Sequence, residues 1–268
     1  MFKLLQILDT GMPWPEPYGW FHLISLALTA LIIFFVCRNA KNHKEKTVIN
    51  AVLITSIVVM VLEVYKQINY TYRVDSGELL INYQWYAFPW QFCSTPMYIG
   101  LLAGLIRKGK VHDSLSAYLA TYSVFAGLAV MFYPVNIYVD TIGINIQTTV
   151  CHCSMIIIGA YLYASGHVKL EHKTVLKALP VFAATIGIAM ILNEVAEHMP
   201  FIPDNSFNMF YISPYCDGSL PLYSLVQQVL PYGVCIVIYI AGFTLAAYVM
   251  LLIAMGADKL FGKKKAAV

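Results

Sequence analysis

Seven stretches of roughly 20 apolar residues recur along this chain, and they restrict its fold more than any other feature. They cover 20–37, 47–64, 89–106, 114–133, 146–165, 174–192 and 224–254. In hydrocarbon every backbone N–H and C=O must find a partner within its own segment, so such stretches form helices. The chain is therefore read as all-α, a polytopic membrane bundle of seven transmembrane helices. It forms a single domain over 1–268, with an interfacial N-terminal segment (1–19), the bundle (20–254) and a basic cytoplasmic tail (255–268). Charged residues make up 12% of the chain, against about 25% in soluble domains, which excludes a soluble enzyme. No basic face or motif points to a nucleic-acid partner, and topology accounts for the net charge of +3.

The opening MFKLLQILDTGM carries too short an apolar run, and no small-residue cleavage site, for a signal peptide. It reads as a short interfacial helix, and PWPEP then forms an extended approach to the first span. Basic residues set the orientation. Fourteen of the 17 fall on one side: Arg38, Lys41, Lys44 and Lys46; Arg107, Lys108 and Lys110; Lys169, Lys173 and Lys177; Lys259, Lys263, Lys264 and Lys265. Only Lys3, Lys66 and Arg73 fall on the other. The N-terminus is thus expected outside and the C-terminus in the cytoplasm, an alternation that an odd number of spans satisfies.

The outer connections, 65–88 and 193–223, are long and aromatic, and the second also contains Pro200, Pro203 and Pro214. They read either as an aromatic belt at the membrane surface or as a cap over a cavity. Polar side chains in the spans gather near the outer ends. Cys93 lies about 6 Å and His152 about 9 Å below the start of its span at 1.5 Å per residue. Glu63 ends span two, and Asn193 with Glu194 closes span six. Intramembrane ionisable groups are candidates for function; the plainer reading is a polar cluster that pins helices together.

The stretch FPWQFCSTPMYIG, 88–100, is the most informative. Pro89 suits a first helical position, which puts Cys93 in the second turn, near the positive end of the helix dipole. Pro96 withholds an N–H from the Phe92 carbonyl, and Ser94 and Thr95 can supply hydrogen bonds there. Gly100 and Gly104 let a neighbouring helix approach. A cysteine nucleophile needs a base, and His152 is the expected one. Glu194, Asn193 and Glu63 are candidates to orient its imidazole. Acyl transfer through a thioester fits these residue types, with a membrane lipid as donor.

Other readings stay open. Cys93 alone could be a small core residue, or could join Cys151, Cys153 or Cys216 in a disulfide. The run Cys151-His152-Cys153 could suggest a metal, but adjacent helical residues point in different directions, so no metal and no cofactor is expected. GLIRKGKV, 104–111, lacks the final Ser or Thr of a phosphate loop and follows no strand.

FPWQFCSTPMYIGLLAG, CHCSMIIIGAYLY and NEVAEHM followed by FNMFYISP resemble the YwaF-like bacterial integral membrane proteins, related to the eukaryotic transmembrane protein 164 family. The likeness runs from 84 to 250. It implies a phospholipid acyltransferase whose cysteine corresponds to Cys93 and whose histidine corresponds to His152. Bacterial members often carry a histidine two residues before the cysteine; Gln91 stands there, able to hydrogen-bond but not to act as a base. Asn208 and Tyr211 match an N-x-x-Y-like stretch and are expected to bind substrate in the cap, together with Trp90 and Thr95. The expected protein is a lipid acyltransferase or acyl hydrolase of a bacterial plasma membrane. The competing reading is a non-enzymatic binder or transporter of a lipid or small solute. Oligomeric state is open.

Overall fold

The structure is a computed structural model, and it describes residues 2–75, 78–134, 137–217, 220 and 223–262. A short helix α1 (Phe2–Leu8) precedes α2 (Trp20–Arg38) and α3 (Glu45–Asn69). A hairpin of β1 (Tyr72–Asp75) and β2 (Glu78–Ile81) follows, paired from Tyr72–Ile81 to Asp75–Glu78. Then come α4 (Thr95–Ile106), α5 (Gly109–Ala120), α6 (Tyr122–Phe132), α7 (Ile142–Ala164), α8 (Lys173–Glu197), the single turn α9 (Tyr223–Gln227) and α10 (Tyr232–Ala257). Lys263, Lys264 and Lys265 of the expected tail lie outside the described residues.

Among the described residues, six helices are long and apolar enough to cross a membrane, with α5 and α6 acting as one. Seven full-length spans were expected; α4, at 12 residues, is too short to count as a seventh by itself. The stretch 89–106 does not start a helix at Pro89. Residues 88–94 form tight turns, with the Trp90 N–H on the Phe88 carbonyl and the Ser94 N–H on the Gln91 carbonyl. The helix begins at Thr95, with Pro96 in its first turn, where a missing N–H costs nothing. Pro96 therefore starts α4 rather than kinking it, and Cys93 precedes the helix instead of occupying its second turn.

Two other spans are interrupted. Thr121 separates α5 from α6 with φ −120° and ψ −81°, and its hydroxyl donates to the Ala117 carbonyl at 2.7 Å, competing with the helical bond. Pro231 divides 224–254 into α9 and α10, because a proline disfavours helix in the residue before it. The outer segment 65–88 also holds more order than expected, since α3 runs on to Asn69 and the hairpin follows.

Aromatic rings form the centre. Tyr122 stacks on Phe182 with centroids 4.3 Å apart, and Tyr239 on Phe243 at 4.4 Å. This column joins α6, α8 and α10. Phe92, beside Cys93, packs on Phe182, Phe243 and Phe210. Glycines bring helices close where the site is built. A Cβ at Gly104 would lie 2.6 Å from Leu53 Cβ on α3, and one at Gly127 would lie 2.7 Å from the His152 carbonyl on α7.

Candidate functional site

Cys93 sits half-buried on the turns that lead into α4. Around it lie the middle of α3, the middle of α7 and the α5–α6 break, with the segment 207–213 close by. Val59, Met97, Ala126, Cys151 and Met155 cluster against it. The Cys151 thiol reaches the Cys93 carbonyl at 3.6 Å. All six cysteines are free. The Phe92 carbonyl released by Pro96 is taken by the Thr95 hydroxyl at 3.0 Å, and Thr95 Oγ1 also bonds the buried Tyr118 hydroxyl at 2.8 Å. The turns are thereby tied to α5.

His152 lies ten residues into α7, about 15 Å along at 1.5 Å per residue, because that helix starts earlier than expected. It is buried, and Nδ1 lies 2.7 Å from the Thr148 carbonyl. A carbonyl only accepts, so Nδ1 carries the proton and Nε2 keeps its lone pair. That is the tautomer a general base requires. Among the described residues no hydrogen bond joins His152 to Cys93, and His152 does not line the cavity beneath the thiol.

Glu63 is buried, and its carboxylate is fully engaged. Oε1 accepts from Lys66 Nζ at 2.8 Å and from Gln67 Nε2 at 2.7 Å; Oε2 accepts from Gln147 Nε2 at 3.1 Å. Gln67 also donates to the Ala87 carbonyl at 2.8 Å and accepts from the Tyr83 hydroxyl at 2.5 Å. Burial, with the Glu63 charge second, pushes the Tyr83 phenol up to about 12, so it remains a donor at ordinary pH. This network ties α3 to α7 and to the segment after the hairpin.

The remaining expected residues hold the cap. Gln91 accepts from the Phe210 N–H and donates to the Asn208 carbonyl, both at 3.0 Å. An amide offers acceptor and donor side by side; an imidazole does not, so glutamine suits this clasp. Asn208 Oδ1 accepts from the Ser213 N–H at 2.9 Å. Trp90 donates to the Thr185 carbonyl at 3.2 Å and stacks on Tyr98. Asn193 is buried and bonds Met209 rather than His152. Glu194 is exposed and accepts from the Tyr215 hydroxyl at 2.7 Å, so neither orients the imidazole.

Met209, Phe210 and Ile212 are fully buried, so 207–213 plugs the bundle. Phe210 and Tyr211 have φ of 59° and 57°, a left-handed conformation that costs about 1–2 kcal/mol per residue for L-amino acids. The bonds from Gln91 and Asn193, with the Tyr239 hydroxyl on the Phe210 carbonyl at 3.0 Å, hold it there. Tyr211 is 43% exposed. Burial raises its phenol pKa, with a further push from the nearby Cys93 thiol.

Two spaces flank the turns that carry Cys93, and the thiol residue lines the first of them. A cavity of about 30 Å³ runs below it, lined by Ser56, Ser123, Cys151 and Ser154 among others. A separate apolar groove of about 380 Å³ opens between α3 and α4, lined by Met60, Val64, Ile68, Pro89, Met97 and Tyr98, with Glu63 at its wall; Cys93 does not line it. Met97 separates the two. Among the described residues no group of three or more His, Cys, Asp or Glu stands together to hold a metal.

Gln147 was not singled out in the sequence, Cys151 was weighed only for a disulfide or a metal, and Lys66 only for topology. Gln147 and Cys151 are four residues apart and therefore share one face of α7, a signal the CHC motif obscured.

The fold defines an integral, multi-pass membrane protein. The chain belongs to the TMEM164 family, whose family model matches residues 17–255. No curated protein and no solved structure matches the chain.

Proposed function

We propose that this protein is a cysteine-dependent phospholipid acyltransferase or acyl hydrolase of the YwaF-like branch, working near the outer face of a bacterial plasma membrane. One observation carries the reading: Cys93 sits outside helical geometry, on turns whose flanking residues Pro89 and Met97 line an apolar groove. Membership of the TMEM164 family is compatible with it. The short α4 and its turns complete a seventh crossing, which leaves the N-terminus outside as the lysine distribution requires.

In this reading an acyl chain lies in the groove with its ester carbonyl at Cys93. An apolar enclosure makes a standing thiolate costly, so the proton leaves as the sulfur–carbon bond forms. His152 Nε2 receives it, while the Thr148 carbonyl holds the opposite edge of the ring. The leaving alcohol of the lipid takes that proton, and a thioester remains on Cys93. Asn208 and Tyr211 belong to the cap. Trp90 and Thr95 hold the turns that present the thiol.

A second reading, lipid binding without chemistry, is favoured by the lack of a Cys93–His152 hydrogen bond among the described residues. One experiment separates the two. Purified protein is placed in dioleoyl phosphatidylethanolamine vesicles and Cys93 is examined by intact mass. An oleoyl adduct labile to hydroxylamine is expected on the wild type and absent in Cys93→Ala. His152→Ala slows its formation by about 100-fold or more. Lipid that copurifies without any adduct would establish the binding reading instead.

A further inference from the structure

The cavity below Cys93 is too small for an acyl tail, and its largely apolar wall holds one buried hydroxyl without a partner, that of Ser123. Its volume of about 30 Å³ suffices for about two waters, since one needs roughly 10–15 Å³. Three serines face it. Ser56 donates to the Val52 carbonyl at 2.9 Å and Ser154 to the Cys151 carbonyl at 2.8 Å, so both present lone pairs to the cavity. Ser123 is 1% exposed, and its hydroxyl has no hydrogen-bond partner in the protein. A buried hydroxyl left unpaired costs about 1–3 kcal/mol, and a water bonded to Ser123 removes that cost. The α5–α6 break places this serine, because it lies two residues past Thr121, in the first turn of α6.

We infer that this cavity is a built water site, held by Ser123 with Ser56 and Ser154, and that its water deacylates Cys93. The inference rests on the acyl-enzyme reading above. It assigns the two spaces opposite tasks: the groove takes the acyl chain and the cavity takes the acceptor. The water oxygen adds to the thioester carbonyl carbon and the carbon–sulfur bond breaks. One water proton ends on the Cys93 sulfur, and the chain leaves as a carboxylic acid, with no oxidant or second cofactor needed. Because the water approaches from within the bundle, hydrolysis requires no opening of the cap.

The test separates acylation from deacylation. Purified wild-type protein in detergent micelles is mixed with p-nitrophenyl octanoate. Nitrophenolate release reports acylation, and intact mass follows decay of the octanoyl adduct. Ser123→Val fills the cavity and removes the hydroxyl. It is expected to slow decay by about tenfold or more through loss of a positioned water, while acylation changes by less than about twofold. Ser123→Ala keeps the space and serves if the valine variant does not fold; a smaller slowing in the same direction is expected. Adduct decay unchanged in both variants overturns the water site and leaves the acyl-enzyme reading intact. Failure of the wild type to form any adduct on Cys93 overturns both.

Discussion

The side-chain amide of Asn193 takes both backbone groups of Met209. Its Oδ1 accepts the Met209 N–H at 2.7 Å, and its Nδ2 donates to the Met209 carbonyl at 3.1 Å. A residue of α8 thus replaces the strand or helix partner that the buried segment 207–213 lacks. It does so next to two residues in left-handed geometry, alongside the bond from the Ser213 N–H to Asn208 Oδ1 within the segment.

Asn193→Ala should therefore release the plug. The Met209 N–H would be buried without a partner, at roughly 1–3 kcal/mol, and its carbonyl would keep only the long bond from the Ile212 N–H at 3.4 Å. Hydrogen exchange across 207–213 should rise sharply while α8 stays protected. Protection unchanged in the plug would show that Gln91 and Tyr239 suffice to hold it.

Glu63 and Lys66 differ in what their loss does. Removing the carboxylate leaves a cation whose side chain is only 15% exposed, together with two amides that lose their acceptor. Glu63→Ala should cost about 3 kcal/mol, in the range for breaking a buried pair from one side. Glu63→Gln keeps an acceptor for Gln67 or Gln147 and should cost less. Thermal unfolding in micelles checks the order of the two variants, and equal effects would mean that charge alone matters.

A pH response is expected at the opposite end of the bundle. His112 Nδ1 faces the Ala103 carbonyl at 2.9 Å, so its Nε2 accepts from His167 Nε2 at 2.8 Å. His167 lies in the connection between α7 and α8. Burial first, and the His112 ring second, hold its pKa below the usual imidazole value, against Glu45 and Asp113, which raise it. A depressed pKa means that the fold prefers the neutral ring. This stabilisation is complete above the ordinary value of about 6.5 and is lost as pH falls through the folded value. The wild type should lose thermal stability as pH falls below about 6.5, and His167→Gln should flatten that slope. An unaltered slope would assign the acid sensitivity to another group.

Much of the architecture was legible in the chain. Apolar runs marked each membrane helix, because burial in lipid demands local backbone pairing. Gly104 was read correctly as a point of helix approach, since the spacing of small residues is itself local. The boundaries around Pro96 were misplaced for a local reason too: Pro89 and Pro96 both suit a helix start, and sequence offers no rule to choose between them. The choice fell to Phe92, whose ring lies among Phe182, Phe210 and Phe243, a contact made by three distant segments.

The site divides along the same line. Sequence by itself led to the expectation that a cysteine, a histidine and a carboxylate share one depth near the outer end, by counting residues along each span; the helix starts moved, and His152 lies midway along α7. Only the tertiary structure decided their company. It gave Glu63 to Lys66 and Gln147, set Cys151 against the Cys93 backbone, and used Asn193, Asn208 and Gln91 to seat the cap. Which side chains meet depends on the rotation and packing of separate helices. Those are fixed by contacts between residues far apart in sequence, where no local periodicity reaches.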